Sequence, residues 1–270
     1  MAAAGVFRLR LIDAHIHLSD KEYRRYVNEL VEDAKAGNVV ALVSNATDLE
    51  SSVEALDLAE KHPGLIYVAL GIHPWNVNVL KPNELEETLS LIEKQRHKKS
   101  LVAIGEIGLD CKYEGIWEKQ LAVFDKMLRT AEKFSLPVII HSRGTTEFIV
   151  DMLPSYNLKR VLLHWFSHPL SALQKVIDCG YYITEGPPVV YSNGIREVVM
   201  QTPLTHLLTE TDGPVLFRKP PFNGQMTRPS FIKEVVEAIA DIKKVSAEEA
   251  ANQIVQNFEV FFNLQLSKLT

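Results

Sequence analysis

The segment at residues 8–18 reads RLRLIDAHIHL, an apolar run that ends by placing His15 and His17 two residues apart. On a β-strand, side chains two apart point the same way, so these imidazoles can converge on one ion if the strand extends through both. Three more of the nine histidines, His73, His141 and His164, close other apolar, strand-like runs, and so do Glu106 and Asp212. Neutral imidazole is a common ligand of first-row metals, and a carboxylate such as Glu106 can bridge two ions. His15, His17, Glu106, His141, His164 and Asp212 together offer six nitrogen and oxygen ligands, more than one tetrahedral zinc requires. Two metals sharing a carboxylate use that set better. Glu106 also sits within VAIGEIGL, where an ionised carboxylate left unpaired would be costly to bury.

The elements that must position these residues alternate along the chain. Strand candidates lie near 8–15, 39–46, 65–73, 101–108, 137–142, 160–166, 181–186 and 205–212, separated by segments of helical period. EYRRYVNELVEDAKAG ends on Gly37 as a helix often does, and GIWEKQLAVFDKMLRTAEKFS carries an amphipathic pattern. Eight such alternations in 270 residues predict an α/β chain forming a (β/α)8 TIM barrel, a single domain over residues 1–270. A doubly wound open sheet is the competing arrangement. In a barrel the carboxyl ends of the strands build the site, which is where the histidines and carboxylates fall. The turn-rich stretch from Gly213 to Pro229 then lies over the mouth. His62 and His97 fall at helix ends and His206 at the opposite end of its strand, outside the site. Near the C-terminus, Ser246 and Glu249 form a capping-box pattern ahead of a helix expected to pack on the barrel.

Composition narrows the setting. Hydrophobic residues make up 46% and charged residues 23%, as expected of a globular protein with a sizeable core. The net charge of −5 offers a polyanion no general attraction, so nucleic acid would have to be drawn by a local site. Only Cys111 and Cys179 are present, far apart, which argues against a disulfide framework or cysteine zinc site and suits a reducing cytoplasm. Arg8 and Arg10 interrupt the apolar start, and no run is long enough to span a membrane, so an unexported protein without membrane attachment is expected.

The segments DAHIHL (13–18), GIHP (71–74), GEIGLD (105–110), HSR (141–143), HWFS (164–167) and ETDGP (210–214) resemble the TatD family of metal-dependent deoxyribonucleases, in the amidohydrolase-like superfamily. The resemblance implies a (β/α)8 barrel with two divalent ions, of zinc, manganese or magnesium. It places His15 and His17 on one metal, His141 and His164 on the other, Glu106 between them, and Asp212 as a ligand that takes the proton from the attacking water. His73 and Arg143 are the implied phosphate contacts, a guanidinium being suited to bidentate phosphate binding. Trp165 or Phe166 can stack on a base, although adjacent strand residues face opposite ways and one of them belongs in the core. The implied substrate is DNA, attacked from an end of a single strand, and no obligate protein partner is inferred. The sequence departs from the family pattern at Cys111, at His168, and most consequentially at Thr227 and Arg228, where a basic stretch leading to Asn-Glu-Pro is usual. Arg218, Lys219 and Arg228 can still give the mouth a local positive rim.

Two other readings remain open at this stage. A small-molecule amidohydrolase or lactonase-type hydrolase would use the same metal centre on a carbonyl. A barrel that binds nucleic acid or a partner without turnover would have no chemical reason to keep all six ligands.

Overall fold

The computed structural model describes residues 8–167 and 170–266; His168 lies outside them. Eight strands form one parallel sheet in chain order: β1 (Leu11–Ile16), β2 (Val39–Asn45), β3 (Ile66–Leu70), β4 (Leu101–Asp110), β5 (Val138–Arg143), β6 (Val161–Leu163), β7 (Tyr182–Glu185) and β8 (Leu207–Thr209). All eight expected strands are present. Both faces are covered, so β1, β3 and β4 are buried from end to end, as parallel strands flanked by helices must be.

The helices α1 (Val27–Ala36), α2 (Leu49–Lys61), α3 (Glu84–Gln95), α4 (Trp117–Phe134), α5 (Thr146–Met152), α6 (Leu170–Asp178), α7 (Asn193–Gln201), α8 (Ile232–Lys243) and α9 (Ala247–Phe262) follow the strands. In α4 the inward residues Val123, Phe124, Met127, Leu128 and Ala131 recur at helical spacing and are buried. Helix α1 begins only at Val27, because the preceding turns bury Tyr23 and send its hydroxyl to Thr227 O at 2.6 Å. Helix α9 starts at Ser246, whose hydroxyl accepts from Glu249 N at 3.1 Å. Its Asn257 donates to Leu204 O and Leu207 O, at 2.7 and 2.8 Å, fixing it to the amino-terminal edge of β8. Among the described residues no helix is long and apolar enough to cross a membrane.

The barrel closes where β8 meets β1. Thr209 Oγ1 donates to Ile12 O at 2.6 Å, and Asp13 accepts from Thr211 N at 3.0 Å and Thr211 Oγ1 at 2.6 Å. Farther up, Asp212 N donates to His15 O at 2.9 Å and His17 N to Gly213 O at 2.8 Å. That closure sets the two ends of the chain's chemistry side by side.

The loop leaving β8 is tightly anchored. Thr227 is buried, with its hydroxyl on Val215 O and its carbonyl taken by Tyr23, and a side chain at Gly213 would collide with that tyrosine hydroxyl. Phe217, Phe222 and Phe231 pack together beneath the loop, with Trp165 against Phe217 at a centroid distance of 5.9 Å. Arg228 points to α1, 3.6 Å from Asp33, whereas Arg218 and Lys219 are exposed, Lys219 lying over the Tyr191 ring.

Gly108 in β4 has φ +147°, and a Cβ there would lie 2.0 Å from His141 O. Only glycine adopts that backbone without strain and lets β4 approach β5 so closely. Gly108→Ala should therefore cost about 3 kcal/mol or more, lowering the melting temperature by roughly 6–12 °C. A thermal melt followed by circular dichroism checks this; an unchanged melting point would mean that β4 and β5 can separate freely.

Candidate metal centre

Glu106 lies in a stretch where the register between β4 and β5 shifts between Ile104 and Ile107, and its carboxylate is 2% exposed at the centre of the barrel mouth. Five imidazoles surround it. Oε2 is 3.3 Å from both His15 Nε2 and His17 Nε2. Oε1 is 2.8 Å from His164 Nε2, 3.0 Å from His141 Nδ1 and 3.1 Å from His73 Nε2. Each oxygen of the carboxylate thus faces its own group of donors. Asp212 completes the first group, with Oδ1 at 3.5 Å from His15 Nε2 and 3.4 Å from His17 Nε2.

The donor set fits a divalent cation. His15 Nε2 and His17 Nε2 are 3.2 Å apart. With the carboxylate distances above, every measured edge of this group falls at 3.2–3.5 Å. Donors held about 2.0–2.2 Å from one tetrahedral centre stand roughly 3.3–3.6 Å apart.

The tautomers point the same way. His17 Nδ1 lies 2.9 Å from the backbone carbonyl of Asn45, which can only accept, so the imidazole donates there and turns the Nε2 lone pair toward the carboxylates. His141 Nε2 likewise donates to Asp110 Oδ2 at 3.2 Å, turning Nδ1 toward Glu106. Lone pairs aimed at carboxylate oxygens need a proton or a metal between them.

His73 is arranged differently. Its Nδ1 accepts from Trp75 N at 3.1 Å, leaving Nε2–H to donate to Glu106. Burial pushes this imidazole down to about 4, so it is a neutral hydrogen-bond donor at the wall.

The electrostatics favour cations. Burial pushes the Glu106 carboxyl up, but the imidazoles of His73, His164 and His15 more than offset this and hold it well below the usual carboxylate range. Burial pulls His17 down, yet Asp212 and Glu106 lift it to about 10. Burial lowers His15, so in this first group the firmly held proton is the one on His17, and the carboxylate field that holds it can hold a divalent ion in its place, with the proton released.

A further shell orients these groups. Asp110 Oδ2 accepts from both His141 Nε2 and Trp75 Nε1, the latter at 2.6 Å, while Oδ1 accepts from Lys112 N at 2.8 Å. Gln120 holds the Asp110 backbone through both its N–H and its carbonyl. Behind His164, Glu210 Oε2 lies 3.5 Å from Nδ1 and receives Thr184 Oγ1 at 2.5 Å.

The remaining expected site residues are spread around the mouth. Arg143 ends β5 with its side chain 54% exposed, Nη1 being 4.0 Å from Asp110 Oδ2. Trp165 is half-buried and Phe166 fully buried, but both lie beyond the end of β6 at Leu163, and Trp165 has φ +41°, so their division comes from the turn rather than from strand alternation. His17, His73, His164 and Asp212 lie just past the last paired residues of their strands, and Asp212 has φ +49°. Asp110 and Trp75 were not singled out from the sequence. Asp110 lay in plain sight in GEIGLD, but its partner on β5 becomes visible only in the fold. Asp110→Asn should weaken metal binding by roughly 10–100-fold, because carboxylates behind ligating histidines set ring orientation and basicity. Competition against a chelating dye measures this; undiminished affinity would remove Asp110 from the centre.

The sequence profile described as "TatD related DNase" matches residues 12–263. The chain is 33% identical over 263 residues to "Uncharacterized metal-dependent hydrolase YabD" of Bacillus subtilis, covering 94% of this chain and 99% of that protein. It is also 33% identical over 270 residues to human "Deoxyribonuclease TATDN3", with 95% of each chain covered. The crystal structure of YJJV, a TatD homolog from Escherichia coli, superposes with a TM-score of 0.87 at 29% identity, covering 95% of this chain and 99% of that one. With matching fold and near-complete coverage, this chain belongs to the TatD family of metal-dependent hydrolases.

Proposed function

We propose that the protein is a deoxyribonuclease that hydrolyses DNA phosphodiester bonds from an end of a single strand, with two divalent ions of zinc, manganese or magnesium. The observation that carries this reading is the division of the donors into two groups joined by Glu106, at the carboxyl ends of the barrel strands. The human relative named as a deoxyribonuclease supports the choice of substrate.

His15, His17 and Asp212 would hold one ion, His141 and His164 the other, with Glu106 between. When bound, paired ions generate hydroxide at neutral pH and stabilise the charge on the attacking and leaving oxygens. Asp212, at the edge of the site, accepts the proton of the attacking water. Glu106 keeps the two groups in register. Arg143 reaches into the mouth as the phosphate clamp, His73 contributes its wall beside the reacting phosphate, and Trp165 offers an aromatic edge.

The same donors could serve a lactonase or another carbonyl hydrolase. Arg143 favours the phosphodiester, because an exposed guanidinium suits an anionic oxygen pair better than a neutral ester. No obligate protein partner enters this reading. The two free cysteines fit a reducing cytoplasm, and the barrel elements from Leu11 to Phe262 support reading the chain as a single domain.

One assay separates these substrates: metal-reconstituted protein on end-labelled single-stranded DNA, set beside a panel of esters and lactones. Turnover of the panel without cleavage of DNA would overturn the nuclease reading. Asp212→Ala should lower phosphodiester turnover by about 10²–10⁴-fold, the usual contribution of a positioned base. Glu106→Ala should abolish it. Arg143→Ala should impair phosphodiesters far more than neutral esters; equal losses would favour carbonyl chemistry.

A further inference from the structure

We propose that Trp75 is the base-recognition surface of this site, stacking on the base next to the scissile phosphate; this rests on the nuclease reading above. Trp75 stands on the turn after β3, directly behind His73. Trp75 is 47% exposed, although the polar atom of its indole is engaged through the 2.6 Å hydrogen bond from Nε1 to Asp110 Oδ2. Its backbone N–H is tied to His73 Nδ1. Held at both ends, the side chain is fixed while much of its ring surface stays bare.

Its position is specific. The ring centroid lies 4.6 Å from that of His73, at an interplanar angle of 75°, and 6.0 Å from that of His141, again at 75°. Those histidines contact Glu106, so a phosphate bound at the donor groups puts its neighbouring nucleoside within reach of the indole. Tyr113 continues the wall at 6.3 Å, with Lys112 Nζ 5.8 Å from the Tyr113 centroid. An aromatic plane beside a cation is the composition of a single-strand platform, because every base has a face to stack but only an unpaired base can present it.

The pinned geometry matters for affinity. A tryptophan that already sits in one orientation loses little rotamer freedom when a base arrives. An ester or lactone without a flat ring system gains nothing from it. The indole is thus placed to select nucleotide substrates in a protein whose net charge of −5 does not attract them.

The test compares metal-loaded wild type, Trp75→Ala and Trp75→Phe on an end-labelled single strand and on the same strand with tetrahydrofuran abasic residues at its terminal positions. On the full strand, Trp75→Ala should lose roughly 10–100-fold in kcat/KM, mainly through KM, with Trp75→Phe between it and wild type. On the abasic strand the three proteins should converge. Anisotropy of a dye-labelled oligonucleotide with metal-free protein should show the same ranking for binding alone. Equal losses on both strands, or a wild type indifferent to removal of the bases, would overturn the role of Trp75 while leaving the nuclease reading intact. Absence of DNA cleavage by wild type that turns over esters would overturn both. Trp75→Phe keeps an aromatic filler on the turn, so its result stands even if Trp75→Ala fails to fold.

Discussion

One buried carboxylate governs the arrangement of this molecule. An ion taken out of water costs several kcal/mol unless paired, and Glu106 is 2% exposed in the middle of a hydrophobic barrel. The compensation comes from imidazoles on β1, β5 and the ends of β3 and β6, all within 3.3 Å of its oxygens. No single element could supply them. The barrel brings distant segments to one point, and the close approach of β4 to β5 at Gly108 and the closure of β8 on β1 determine whether they meet. Stability and chemistry are therefore joined at Glu106: apart from His73, the groups that make its charge tolerable are those that would hold metal.

Much of this was legible in the sequence because parallel strands are nearly continuous apolar runs, and a polar residue ending such a run stands out. All eight strands and the convergence of His15, His17, Glu106, His141, His164 and Asp212 follow from that contrast. Strand periodicity was a less faithful guide to orientation. Paired structure in β1 stops at Ile16, so His17 is aimed by its hydrogen bonds to Asn45 and Gly213 rather than by strand alternation. Asp212 reaches the site from a left-handed backbone conformation that no alternation pattern encodes. Family resemblance implies a role for Asp212, and geometry shows how it reaches the site.

What the sequence concealed was pairwise and tertiary. Asp110 matters because β4 lies beside β5 and the turn after β3 folds back over both, so one carboxylate meets His141 and Trp75. Trp75 follows GIHP as an ordinary aromatic residue, and only its exposure beside the donors distinguishes it from a core tryptophan. The loop around Thr227 poses the opposite case. Its departure from the family pattern suggested an altered substrate contact, yet Thr227 is buried and hydrogen-bonded to Val215, with Tyr23 on its carbonyl. Arg228 is drawn toward Asp33 on α1. In this chain those two residues hold the loop down instead of facing the mouth.

That anchoring bears on how an acidic protein could engage a polyanion. Counterion release from many phosphate contacts drives most nucleic-acid binding, and it requires a wide basic surface. Among the described residues Arg143, Lys112, Arg218 and Lys219 are exposed at the carboxyl ends of the strands or on the loops that follow them, while Arg228 lies against Asp33. On the proposed nuclease reading, affinity would then come from a short footprint, in which one or two phosphates meet the donor groups and Arg143 while an aromatic surface takes up the base. Such a site has little hold on the continuous backbone of a duplex, whose bases are turned inward and stacked on one another. A frayed or single-stranded end exposes a phosphate and an unstacked base within one nucleotide's reach, the combination that Arg143, the imidazoles and Trp75 would meet under that reading. On the proposed nuclease reading, the net charge of −5 would thus favour substrate ends over interiors.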